Sequence, residues 1–328
     1  MRRLTYLVLF LGLLYGGYWF IARTAFLSSV EDGLSQARDD GWTIAYDDLS
    51  VIGFPSRFDA TLSDLRFATP DGSFIWEAPF FQALMLSYRP NEVIAVWPAR
   101  QTLSFSGIPH TLAARDLRAS LAFDLSSALD LAAVTLESAP LLLSRDDGWS
   151  LGAERLLFAL RDMPVAERPN SYDIYLDIDG LAPPEPLRAA LDTDGALPAT
   201  LGQSLIDLDI VTTAPLNLRP PSAPVRLQSL SVARAAMQWG SLQLGASGSI
   251  SIDSRGIPDG RIDLTIRDWD RAISMAVALG WVEEGVAPTW RNIAATLADG
   301  GEELTLPLAF RNGFMSIGPV PLGPAPRF

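Results

Sequence analysis

The run Leu4–Ala22, LTYLVLFLGLLYGGYWFIA, carries no charge. As a helix it rises about 28 Å, close to the roughly 30 Å hydrocarbon core of a bilayer. Arg3 closes it on one side and Arg23 on the other. Leu4, Leu7, Leu11 and Leu14 supply the apolar length. Tyr18, Trp19 and Phe20 stand at the far end, a depth that suits an aromatic belt at the membrane–water interface. Residues 1–23 therefore read as a transmembrane anchor. A cleaved signal peptide would need a shorter apolar core and an A-x-A-like site. Here the run ends in bulky residues, and Ala22 and Ala25 have the wrong spacing. Arg2 and Arg3 precede the run, whereas Arg23 alone follows it before Glu31 and Asp32. That bias predicts a cytoplasmic N-terminus and an exported body.

The remaining 300-odd residues are free to form one large domain or two small ones, and 48% hydrophobic content supplies a core. A formal net charge of −13 with no basic run after the anchor argues against nucleic acid as a partner. The chain has no cysteine, which excludes disulfides, thiol catalysis and cysteine-ligated metals. It also has no lysine, which excludes a P-loop or a Schiff base. A single histidine, His110, excludes multi-histidine metal sites.

Val30, Leu34 and Ala37 recur at helical spacing before Gly41, so residues 24–41 predict a juxtamembrane helix that lifts the body off the bilayer, a reading compatible with a helix packed on its own domain. From Trp42 the period changes to two. Strand patterns alternate with turn signals such as Asp71-Gly72, Asp146-Asp147-Gly148 and Asn312-Gly313. In Tyr172–Asp179, Tyr172, Ile174, Leu176 and Ile178 face one way, and Asp173, Tyr175, Asp177 and Asp179 the other. Ile206, Leu208 and Ile210 against Asp207 and Asp209 repeat the pattern. Such alternation means a sheet with one apolar face and one wet, acidic face. Short helices are expected at Glu185–Leu191 and near 270–279 and 289–298, the second capped by Asp268 or Asp270. The fold class is predominantly β (α+β): a large, curved antiparallel sheet with a few helices, preceded by one transmembrane helix. The body, 42–328, reads as two halves joined by a Pro-rich transition at 181–224, and Gly318–Phe328 as an extended tail.

Catalytic constellations are not found. His110 sits in Gly107-Ile108-Pro109-His110, a turn composition that predicts a surface position, and no G-x-S-x-G elbow exists. Asp192-Thr193-Asp194-Gly195 lacks the glycine position and closing glutamate of a calcium loop. The pairs Asp177/Asp179 and Asp207/Asp209 are expected on a solvated strand face. The chain reads as non-enzymatic, with no cofactor and no metal.

Gly53-Phe54-Pro55-Ser56-Arg57-Phe58 joins two strands. Gly53 and Pro55 have the backbone properties of a turn. Phe54 and Arg57 are also placed to touch lipid or a partner near the membrane. Gly41-Trp42, Tyr46-Asp47, Leu49-Ser50-Val51 and this motif resemble the opening of an uncharacterised alphaproteobacterial family, domain of unknown function 2125. Gly248–Asp253, Gly256, Gly260-Arg261-Ile262, Leu306-Pro307-Leu308 and Gly318-Pro319-Val320-Pro321 resemble its later part. The resemblance implies no activity, because the family has none assigned. The architecture is also similar to that of AsmA-like envelope proteins, which pair an N-terminal anchor with a β-rich periplasmic body and are implicated in lipid homeostasis.

Together these readings predict a single-pass protein of the bacterial inner membrane with a periplasmic body. Its expected partners are the lipid bilayer and a lipid ligand or an envelope protein. A dozen strands with one apolar face expose more apolar surface than a soluble monomer tolerates. Either helices and a second sheet layer pack it, or it forms a trough completed by acyl chains. In the second case the strands bearing Phe58, Ala60, Leu62 and Phe67 are expected to line the mouth. The alternatives are a scaffold that docks a protein on its sheet edges and, more weakly, a carboxylate hydrolase.

Overall fold

A computed structural model of the chain describes residues 2–125, 129–165, 167–192, 195–217, 224–298, 300–318 and 320–328. It is 51% strand and 22% helix, which makes the protein predominantly β as the alternation predicts. Contacts divide the chain into two compact units. One comprises Met1–Phe123 with Leu143–Asp146, the other Asp124–Leu142 with Asp147–Phe328. The Pro-rich stretch 181–224 thus lies inside the second unit. Thr193 and Asp194 of the calcium-like stretch, and residues 218–223, fall outside the described residues.

In the first unit a single helix, α1 (Arg2–Asp39), takes in both the anchor and the juxtamembrane segment without a break. Its length is about 57 Å. It ends where the Trp42 N–H bonds back to the Ala37 carbonyl at 3.0 Å, with Gly41 at φ 94° as the sequence predicts. The strands are β1 (Thr43–Ala45), β2 (Asp48–Ile52), β3 (Arg57–Ala68), β4 (Phe74–Leu86), β5 (Arg89–Val96), β6 (Arg100–Phe105), β7 (Ile108–Ala114) and β8 (Arg118–Phe123). Strand β3 is the hub. On one edge β2 pairs with its first half and β1 with its second, and β4 pairs along the other edge. Strand β4 then pairs with β5 along its second half and with β6 along its first. Strand β7 extends β6, and β8 extends β5. His110 is not at the surface. It lies on β7, 8% exposed, with Nδ1 2.9 Å from the Ile108 carbonyl and its ring edge-on to Phe105. The turn composition at 106–107 ends one residue before β7, so pairing with β6 carries His110 into the sheet.

Strands β10 (Leu141–Ser144) and β11 (Ser150–Ala153) fall near the division between units. The second unit is built on an antiparallel ladder of β9 (Leu131–Ser138), β12 (Arg155–Asp162), β13 (Ser171–Asp179), β14 (Ser204–Thr212), β15 (Leu227–Trp239), β16 (Leu242–Ile252), β17 (Pro258–Arg267), β18 (Glu303–Arg311), β19 (Phe314–Ile317) and β20 (Val320–Pro324). The tail is extended as expected, and within it β20 pairs with β19 as an edge strand. Helix α2 (Glu185–Leu191) lies between β13 and β14 in the chain. Helices α3 (Trp269–Ala278) and α4 (Ala287–Leu297) lie where their apolar spacing predicts them, against each other and against β16 and β18. Asp268 occupies the cap position of α3 at φ 60°, but its side chain makes no capping bond. It accepts hydrogen bonds from the Ser241 hydroxyl and the Arg271 guanidinium instead.

Candidate functional site

The helix stands free over its first part and is seated over its second. From Arg2 to Tyr15 every side chain is exposed. From Gly16 on, Trp19, Ala22, Phe26, Val30, Leu34 and Ala37 form a covered stripe at steps of three and four. Trp19 is 3% exposed and packs with Val51, Phe58, Ala60 and Met85, joined by Ala22, Phe26 and Leu27. Its ring stacks on Phe58 at 5.6 Å, and its indole N–H donates to the Arg57 carbonyl at 3.0 Å. Arg23 donates to the Val51 carbonyl at 2.7 Å. At the lower end Arg38 donates to the Ile44 carbonyl at 2.9 Å. Between Trp19 and Arg38 the helix runs about 28 Å, and between Phe58 and Phe67 strand β3 runs about 30 Å. The second half of α1 is thus a strut laid along β3. The sequence places Trp19 in an interfacial belt, and the tertiary contacts instead bury it in the first unit's core. The 24–41 helix packs on its own unit through the partly buried Phe26 and Leu27.

The anchor end and the turn motif meet. Gly53 takes φ 110°, and a Cβ there would lie 2.9 Å from the Arg57 carbonyl oxygen, so the turn needs glycine. Phe54 is 56% exposed, packs edge-on to Trp19 and stacks on Phe20 at 5.9 Å. Arg57 pairs with Asp59 at 2.7 Å. Phe54, Arg57 and Phe58 therefore gather around Trp19 and Phe20. Leu62 does not join them: it is half-buried opposite Leu49 and Phe81. Phe67 stacks on Trp42 at 4.9 Å, at the other end of β3. The apolar face expected to open as a trough beside the anchor is closed here by α1 itself.

An open apolar face exists in the second unit. The register lines up Leu136, Phe158, Leu176, Ile206, Ala235, Ala246, Leu264 and Leu306 across eight neighbouring strands. Every residue in this row is apolar, and none is buried; Ile206 is 37% exposed. The buried apolar residues of these strands lie nearer their ends, as with Tyr172, Leu242, Ile250, Leu304 and Phe310. A packed core has its most buried residues at its centre, and this row inverts that order. Two cavities lie along it. One of about 390 Å³ is lined by Leu176, Ile206, Ala235, Ala246 and Leu264 among others. The second, about 380 Å³, lies under α3 and α4, shares Leu264, and has only apolar lining residues, Trp269, Trp281 and Trp290 among them. Trp281, between the two helices, is 79% exposed. Sequence reasoning found the helices and the alternating strands but missed this cavity. The signal was available: three of the nine tryptophans fall between residues 269 and 290.

The opposite face of the same strands carries the aspartates: Asp209 is exposed and Asp207 half-buried, but Asp177, expected on the solvated face, is 4% exposed because Arg155 and Gln203 cover it. Arg155 spans Asp177 at 2.8 Å and Asp179, and these bonds, Asp179 first, raise its basicity further. Arg161 pairs with Asp173 at 2.7 Å. Among the described residues no group of three or more His, Asp or Glu side chains is placed to hold a metal ion.

Fold and surface together define a class: a helix long and apolar enough to cross a membrane, followed by a β-rich body. A family model described as an uncharacterised protein conserved in bacteria, domain of unknown function 2125, matches residues 19–326. The chain belongs to that family, as its motifs suggest. The match begins at Trp19, the buried residue of α1. No curated protein and no solved structure matches the chain.

Proposed function

We propose that this is a non-enzymatic, single-span protein of the bacterial inner membrane, with its N-terminus in the cytoplasm and its body in the periplasm. On this reading it binds lipid acyl chains on the apolar face of the second unit and serves envelope lipid homeostasis. The supporting observation is the apolar row from Leu136 to Leu306, in which no residue is buried and Ile206 at its middle is exposed. Seven strand spacings make it about 34 Å long. An acyl chain reaches across one leaflet, about 15 Å, so the row has room for a chain laid along it. Water gains nothing from cavities lined this way, because it needs polar partners. An acyl chain would restore the missing dispersion contacts and cover the exposed residues.

The test is a charge in the middle of the row. Ile206→Glu leaves its carboxylate hydrated if the row is open, so the protein stays folded and loses its lipid. In a closed core the same change buries an unpaired charge and costs several kcal/mol, on the order of 3–5. Lipid mass spectrometry of the detergent-extracted full chain, with circular dichroism of the same sample, separates the cases. Folded Ile206→Glu protein carrying undiminished phospholipid, or a collapsed variant, refutes acyl-chain binding. Topology is checked separately: a C-terminal alkaline phosphatase fusion is expected to be active, and an inactive fusion refutes the periplasmic body.

A further inference from the structure

The way α1 is seated fixes how deep the first unit lies in the membrane. Leu4–Leu14, the part clear of the body, is about 16 Å long, against a hydrocarbon core of roughly 30 Å. The remaining uncharged length, Tyr15–Ala22, is already seated on β2, β3 and the β4–β5 turn. Arg23, the first charge after the run, is held to the Val51 carbonyl, so the helix cannot slide without breaking that bond and the Trp19–Arg57 bond. Tilting α1 shortens its reach across the membrane and draws the body deeper.

Two hairpin tips lie at the level of Gly16–Ala22. The β2–β3 tip carries Phe54, and the β4–β5 tip carries Tyr88. They are joined by the Ser87 N–H to the Ser56 carbonyl at 2.9 Å. The Tyr18 hydroxyl donates to the Ser87 carbonyl at 3.0 Å, and Tyr15 and Ser87 share a second hydrogen bond. Ile52, Phe54 and Tyr88 are 64%, 56% and 66% exposed, beside Phe20 and Ile21 at 61% and 73%. Arg57 and Arg89 follow the two tips, both with exposed guanidinium groups that suit headgroup depth.

We infer that the two hairpin tips insert into the leaflet on the body's side of the membrane, with Phe54 and Tyr88 below the headgroups. Holding them in water would require lifting Phe20 and Ile21 out of the hydrocarbon with them. The first unit is then moored at a fixed depth, not tethered at a distance. The inference rests on α1 as a membrane span and is independent of acyl-chain binding in the second unit.

The absence of cysteine makes any introduced one unique. Phe54→Cys, Tyr88→Cys, Leu11→Cys and Pro70→Cys full-length proteins would each carry a bimane fluorophore in phosphatidylcholine–phosphatidylglycerol vesicles. Pro70 lies past the far end of β3, about 36 Å from the tips. Labels at 54 and 88 are expected to be quenched by lipid brominated on its acyl chains, as at Leu11, and shielded from aqueous iodide; Pro70 should behave oppositely. Iodide quenching at both tips while Leu11 stays lipid-quenched overturns the inference and leaves the span intact. Shielding from both quenchers overturns it in favour of a protein contact. Failure of lipid quenching at Leu11 overturns the span itself. Tyr88 reports independently should Phe54→Cys loosen the packing on Trp19.

Discussion

Truncating Trp19 tests whether the long apolar helix α1 is a structural member of the first unit. The side chain is 3% exposed and is held among Val51, Phe58, Ala60 and Met85. Replacing a buried tryptophan by alanine costs about 3–5 kcal/mol in transfer and cavity terms. About 1 kcal/mol of that is the hydrogen bond to the Arg57 carbonyl. Trp19→Phe keeps most of the ring and loses chiefly the bond, so it should cost about 1 kcal/mol. Each 1.4 kcal/mol is tenfold in an opening equilibrium. Amide hydrogen exchange in β2 and β3 should therefore accelerate roughly 10²–10⁴-fold in Trp19→Ala and about tenfold or less in Trp19→Phe. Strands β14 to β18 serve as the internal control and should not change. Unaltered protection of β2 and β3 in Trp19→Ala would refute the seating of α1 on this sheet.

Cutting the chain at residue 42 removes all of α1 and uncovers Val51, Phe58 and Ala60. Hydrogen exchange on residues 42–328 should show loss of protection in β2–β4 with β13–β18 retained, whereas a fragment beginning at Gly16 should keep both. Gly53→Ala puts a Cβ against the Arg57 carbonyl at positive φ and should cost about 1–3 kcal/mol, read as faster exchange at the β2–β3 turn. Asp268 is held below the usual carboxylate range by the Ser241 hydroxyl and, secondarily, by Arg271. A carboxyl depressed on folding stabilises above its unfolded value near 3.9, and that contribution disappears as pH falls through the lower folded value. Asp268→Asn should thus be less stable than the parent by about 1 kcal/mol at neutral pH. The gap should close below about pH 4, as followed by thermal melts; a gap that persists at low pH refutes the account in which the ionised carboxylate is held by Ser241 and Arg271.

The local order of the chain was legible in its sequence. The uncharged run, the switch to a period of two at Trp42, the turns at Asp71-Gly72 and Asn312-Gly313, and the helix at Glu185–Leu191 each follow from properties of adjacent residues. So does the composition of the faces: Ile174, Leu176 and Ile206 against Asp173 and Asp207 are set by alternation alone. What covers a face is another matter, because the covering group comes from elsewhere in the chain. The turn-like 107–110 gave no sign that pairing with β6 would bury His110. Phe58 and Leu176 read alike as inward strand residues. Tertiary structure puts Trp19 and Phe26 over the first and leaves the second only half-buried. The helix stripe that closes the first unit is held by side-chain bonds to backbone carbonyls at Val51 and Arg57, and a backbone acceptor leaves no mark on the sequence. The sequence therefore determined which surfaces are apolar. Only the packing of distant segments decided which of them the protein fills with its own side chains and which it leaves open, since burial is a property of pairs far apart in the chain.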